Sequence, residues 1–216
     1  MGITGLLLCG FLVVHLAGNL LMLVGADAYN NYAHTLHSNE WFVKSAEVGL
    51  LVLFVVHLYL AIATTRENRV ARGPVSYARK ESKIQERILS AGVSPDSWMF
   101  LTGAVVLAFV LLHLIDFTFE RRTDIKYQTA YELHGEQVPH AFQKAIDILQ
   151  TPLSLCVYLA GCVFLGFHLG HGFSSTFQSL GVNHPRYNGP IKWLGIFFAI
   201  VISVGFAFFP LWAIGR

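Results

Sequence analysis

Four histidines stand deep inside apolar runs of this 216-residue chain: His15, His57, His113 and His168. An imidazole where water is scarce can ligate a metal, pass a proton, or fill a hydrogen-bonded place in a core, and ionisable groups inside a membrane are functional candidates by default. Two of the runs echo each other. "TGLLLCGFLVVHL" at 4–16 and "TGAVVLAFVLLHL" at 102–114 both read Thr-Gly, nine residues, then His-Leu. The three cysteines, Cys9, Cys156 and Cys162, also fall in apolar runs, with neither a CxxC nor a CxxCH for covalent haem attachment, and read as small packing residues.

The elements that must position the histidines follow from composition. The chain is 54% hydrophobic and 13% charged, about half the charge of a soluble domain. Five segments, about 3–25, 44–65, 98–119, 151–173 and 191–214, reach the ~20 mainly apolar residues that a bilayer-spanning helix needs. No alternation of strand period competes with them, so the expected fold class is all-α, an integral membrane bundle of five transmembrane helices forming one domain over 1–216. "MGITG" has no basic n-region and no cleavage site follows it, so the first run reads as a retained helix.

Loop charge sets an expected orientation. The loop 66–97 carries seven Lys and Arg: Arg66, Arg69, Arg72, Arg79, Lys80, Lys83 and Arg87. The loop after the fourth span adds Arg186 and Lys192, against Lys44, Arg121, Arg122, Lys126, Lys144 and Arg216 on the opposite side. The positive-inside rule then puts the N-terminus in the cytoplasm and the C-terminus outside. In the loops, "TPL" at 151–153 reads as a Thr cap with Pro in the first turn. Residues 139–150 read as a short amphipathic helix along the outer surface, and "NHPRYNGPIKW" at 183–193 as a turn-rich connector.

With that orientation and 1.5 Å of rise per residue, the histidines sort by depth into an outer pair, His15 with His113, and an inner pair, His57 with His168. The echo sorts them the same way, because the two matching spans supply the outer pair. Zinc would want its four ligands at one level. Two stacked pairs, one imidazole from each of two facing helices, predict two bis-histidine haems b. For any one histidine alone, a hydrogen-bonded or pore-lining role stays open. His171 is the alternative ligand to His168 on the fourth span. Gly166, Gly170 and Gly172 flank His168, and Gly5 and Gly103 fall at the inner level. They either leave room for a porphyrin or serve helix packing.

These residues resemble a known family, the dihaem cytochrome b membrane anchors of succinate dehydrogenase and fumarate reductase (complex II). The matching segments are "TGLLLCGFLVVHLAGNL", "EVGLLVLFVVHLYLA", "SWMFLTGAVVLAFVLLHL" and "GFHLGHGFSSTFQSLG". The resemblance implies iron ligands at His15, His57, His113 and His168. It implies a cytoplasmic face that docks an iron–sulfur subunit carrying a flavoprotein, with the basic loop 66–97 either part of that face or a topology signal alone. It also implies electron transfer with a membrane quinone, menaquinone in this dihaem type, and possible homodimers of the complex. Two departures stand out: family members usually carry a basic segment before the first helix whereas the first apolar run here opens almost at residue 1, so either the start is truncated or misassigned or that anchor is missing, and a glutamate of some members is Gly166, so a proton route through it does not carry over.

Quinone chemistry moves protons with electrons and needs a proton-handling group beside a haem. Glu47, ten residues before His57 and so about 15 Å toward the outside, is the leading candidate; the other reading is a solvated acid in a first helical turn beside Lys44. Asp116, Asn19 and the His34/His37 pair are weaker candidates. Trp98 and Arg66 near the cytoplasmic boundary, and Arg121 and Arg122 at the other, suit haem propionates or the membrane interface equally. Two other classes remain: a dihaem cytochrome of hydrogenase or formate dehydrogenase type, and a haem-free proton-coupled transporter subunit.

Overall fold

The computed structural model describes residues 1–73, 95–125 and 129–216. Five of its helices are long and apolar enough to cross a membrane: α1 (Gly2–Val24), α3 (Glu40–Arg72), α4 (Pro95–Phe117), α6 (Pro152–Ser179) and α7 (Pro185–Ala213). Between them lie α2 (Ala26–His37), a two-stranded hairpin of β1 (Ala130–Leu133) and β2 (Glu136–Pro139), and α5 (Ala141–Gln150). The all-α membrane bundle expected from composition is the fold observed. Helix α6 is its centre, packing against α7, α4 and α1.

Several helix ends differ from the sequence reading. Helix α3 does not stop at residue 65 but continues to Arg72, so Arg66 and Arg69 ride on a helix. Its 33 residues would reach about 50 Å, well beyond a ~30 Å hydrocarbon core. The remainder of the basic loop, 74–94, and Lys126 lie outside the described residues. The connector expected at 183–193 is mostly helix, because His184 caps the backbone N–H of Arg186 at 3.2 Å and Pro185 opens the first turn of α7. At the start of α6, Thr151 holds the N-cap position and Pro152 follows, but the Thr151 hydroxyl makes no cap bond and instead joins a polar cluster described below.

A folded cap covers the C-terminal end of α1, and the sequence reading did not foresee its extent. Gly25, at φ 141°, breaks α1 from α2, and α2 folds back so that the Tyr32 hydroxyl sits where a side chain at Gly18 would be. The hairpin lies outside the five apolar runs, in a loop for which the sequence reading gave no strand. Its turn, His134-Gly135, has positive φ at both residues, as two-residue hairpin loops require, and Leu133 and Val138 point to the buried side. The Tyr131 hydroxyl donates to Asp27, tying the hairpin to α2. Helix α5 was expected to lie along a surface; here Ala145, Ile146, Ile148 and Leu149 are buried against the bundle. The Oδ1 of Asn30, itself buried, accepts the N–H of Phe142 at 2.9 Å and so caps α5 from α2. We call this end of the bundle the cap side and the end holding the N-terminus the base side.

Candidate functional site

The four histidines meet in two pairs. His15 of α1 and His113 of α4 face each other with ring centroids 5.9 Å apart and planes at 77°. His57 of α3 and His168 of α6 lie 6.5 Å apart with planes at 75°. These are the pairings that depth and the sequence echo predict, with one helix contributing each ring. Two imidazoles sharing one metal, each nitrogen about 2 Å from it, have ring centres on the order of 6 Å apart. Among the described residues no three His, Cys, Asp or Glu side chains converge to hold an ion. Each facing pair could offer two imidazole nitrogens to one metal.

Aromatic rings wall the cap-side pair. Phe11 stacks on His15 at 5.2 Å, Phe206 tilts against it at 5.5 Å, and Phe109, Phe117 and Tyr158 surround His113. At the base-side pair, hydroxyls take over. Thr4 Oγ1 lies 3.0 Å from His57 Nδ1 and Thr102 Oγ1 lies 3.3 Å from His168 Nδ1. Trp98 Nε1 is buried with no hydrogen-bond partner among the described residues, its ring against Phe167 beside His168. A buried donor left open is costly unless an acceptor arrives. His171 lies one turn beyond His168, and its Nδ1 is 3.2 Å from the Phe167 carbonyl of its own helix.

The glycines divide. Gly103 and Gly5 lie beside the rings: a Cβ at Gly103 would be in ordinary contact with His168 Cε1 at 3.4 Å, and one at Gly5 with Thr176 Oγ1 at 3.4 Å and His57 Cε1 at 3.8 Å. Gly166 and Gly170 instead face α7, where Cβ atoms would meet Ser203 Oγ at 2.8 Å and Ala199 Cβ at 3.9 Å, and Gly172 faces Met99 of α4. Helix packing accounts for those three.

Of the proton-handling candidates, Glu47 is exposed on the side of α3. Asn19 donates to the His15 carbonyl at 2.8 Å, and His34 and His37 occupy the last turn of α2. Asp116, ranked lower from sequence, is wholly buried one turn from His113. Its Oδ2 accepts from the Tyr158 hydroxyl at 2.9 Å and from Ser154 at 3.3 Å, and its Oδ1 accepts from Arg122 at 3.3 Å. Arg122, with a side chain only 10% exposed, also donates to Ser154 at 2.6 Å, to Thr151 at 3.3 Å and to Asp124. The bond to Asp124, then the nearby Asp116, raises the guanidinium's pKa, while Arg122 holds the Asp124 carboxyl below its usual range. Tyr158 closes the chain, its hydroxyl 3.4 Å from His113 Nδ1. The sequence signal for this cluster was a polar Ser154-x3-Tyr158 step, one helical turn on one face of α6, opposite a lone aspartate.

Fold and site together define a class: a multi-pass membrane bundle that presents two stacked histidine pairs, each drawn from two different helices. No protein-family model matches the chain, and no solved structure matches it. Among curated proteins it is similar to the succinate dehydrogenase cytochrome b558 subunit of Bacillus subtilis (strain 168), 27% identical over 175 residues that cover 80% of this chain and 72% of that protein. That protein's name agrees with the family resemblance carried by the four segments, at modest identity.

Proposed function

We propose that the chain is the membrane-anchor cytochrome b subunit of a succinate dehydrogenase or fumarate reductase, carrying electrons between an iron–sulfur subunit and a membrane quinone through two haems b. The observation that carries this reading is the pair of facing imidazoles, found twice, at a spacing that would let both rings of a pair hold one iron. His15 and His113 would hold one haem and His57 and His168 the other, with His168 preferred to His171 because it faces His57. Bound haem would supply reversible one-electron chemistry. The protein's part is to present the axial nitrogens, to wall the cap-side pair with Phe11, Phe109, Phe117 and Phe206, and to offer Trp98 Nε1 as a donor for an acidic edge group at the base side.

The base side would face the cytoplasm and receive the iron–sulfur and flavoprotein subunits, with Arg66 and Arg69 on the extended end of α3 contributing positive charge. The succinate chemistry would belong to those partners. Quinone, menaquinone on the family resemblance, would exchange protons at the cap side, where Glu47 is open to a ligand arriving through lipid and Asp116 lies buried beside the haem ligand His113. The test is affinity purification of the full chain from native membranes. We expect co-purifying flavoprotein and iron–sulfur subunits, succinate–quinone or quinol–fumarate activity, and a reduced b-type α-band. A colourless preparation without partners would contradict the reading.

A further inference from the structure

We propose that Thr4 and Thr102, the paired threonines of the sequence echo, are positioning residues that fix the ring tautomers of His57 and His168, so that both rings offer an unprotonated Nε2 as ligand. The inference rests on the two-haem reading and adds to it what the Thr-Gly half of each echo is for.

The tautomers follow from a count of protons. A threonine hydroxyl has one proton to donate and two lone pairs that accept. Thr4 Oγ1 lies 2.9 Å from the Met1 carbonyl and Thr102 Oγ1 lies 3.1 Å from the Met99 carbonyl. A carbonyl only accepts, so each hydroxyl has an acceptor for its one proton on its own helix backbone. With the proton placed there, what remains for the imidazole is a lone pair. On this assignment the contacts of 3.0 Å to His57 Nδ1 and 3.3 Å to His168 Nδ1 are made by ring N–H groups donating to threonine oxygen. In a neutral imidazole one nitrogen carries the proton and the other is the base. With Nδ1 protonated, Nε2 is left bare in both rings.

The arrangement is the same on both sides. Thr4 on α1 serves the histidine of α3, and Thr102 on α4 serves the histidine of α6. The neighbouring Gly5 and Gly103 lie beside the same two rings. Each echo thus works at two levels: its hydroxyl orients a ring on a different helix, and its own histidine, eleven residues and about 16 Å further on, serves the other pair. At the cap side the same proton count applies to His113, because the Tyr158 hydroxyl donates to Asp116 and so accepts from His113 Nδ1.

The test uses the full chain in its membrane complex with Thr4→Val, Thr102→Val, the double variant, and Thr→Ser at each position. Valine keeps the shape and removes the oxygen; serine restores it. The readouts are the ferric low-spin electron paramagnetic resonance signal and midpoint potential of the base-side haem, and its affinity measured by titrating haemin into apo-protein. We expect the double valine variant to lose about 10- to 100-fold in affinity at the base-side pair. Its midpoint potential should move upward, because a ligand without its Nδ1–H acceptor is less basic and supports ferric iron less. Each single variant should move the same signal part of the way, the cap-side haem should keep its signal, and serine should return wild-type values. A base-side haem with wild-type affinity, potential and signal in the single and double valine variants would overturn the tautomer assignment, as would serine variants as impaired as valine. A base-side haem that survives both His57→Ala and His168→Ala would overturn the ligand reading instead.

Discussion

Replacing Asp116 by alanine should damage the protein more than any other single change in the cap-side polar cluster. Asp116 is fully buried, and it accepts hydrogen bonds from Arg122, Tyr158 and Ser154. Removing the carboxylate takes the Asp116 acceptor from the Tyr158 hydroxyl and strips a 10%-exposed guanidinium of its buried counter-charge. Breaking a buried ion pair from one side costs about 3–5 kcal/mol. Arg122 keeps Asp124 as a second partner, which places the expected loss near the lower end, about 3 kcal/mol. For a chain of this length that corresponds to a fall in Tm of about 6–12 °C, read by thermal unfolding of the detergent-solubilised protein. Asp116→Asn retains an acceptor and should cost less than half as much. The Arg122→Ala variant combined with Asp116→Ala should recover part of the loss, since the stranded charge goes with it. An Asp116→Ala variant within 1–2 °C of wild type would refute the claim that this carboxylate anchors the cluster.

Two further outcomes follow from the packing. His140, beneath the Tyr131 ring at 4.7 Å, has its pKa lowered by burial, with Asp147 opposing, and its Nε2 has no partner among the described residues. Its folded pKa lies below the unfolded value of 6.5, so stability is fully present above that value and is lost as pH falls from 6.5 through the folded pKa. Hydrogen-exchange protection factors in β1, β2 and α5, with the intrinsic pH dependence of exchange divided out, should fall over that interval in wild type and stay flat in a His140→Phe variant; equal pH dependence in both would contradict the assignment. Gly161→Ala should force its new methyl into the Phe109 ring, which borders His113. Overpacking of this kind costs about 1–3 kcal/mol, and the cap-side haem signal should shift while the base-side signal stays unchanged.

The spans and the histidine pairing were legible because each rests on a one-dimensional regularity. An apolar run of bilayer length needs no knowledge of its neighbours, and depth along such a run is a matter of counting residues. What escaped depended on contacts between distant segments. Asp116 and Glu47 look alike in sequence, each a lone acid at the edge of an apolar run. Only the approach of Arg122, Ser154 and Tyr158 from elsewhere in the chain buries one of them. The cap was missed for a related reason. Helix α2 has a weakly apolar sequence that becomes ordered by Gly18 admitting Tyr32 and by Asn30 capping α5, and its hairpin is only four residues a side. The threonines of the echo were visible as a pattern, but their use became apparent only when each was found against a histidine of a different helix.

The account turns on two irons held by four named imidazoles, and haem stoichiometry in the four single His→Ala variants tests it most directly. Pyridine haemochrome analysis with a redox-titrated visible spectrum should give two haems b per chain in wild type. His15→Ala and His113→Ala should each lose the same cap-side component, and His57→Ala and His168→Ala the same base-side one, while His171→Ala retains both. Two haems remaining in all four variants, or none in wild type, would contradict it.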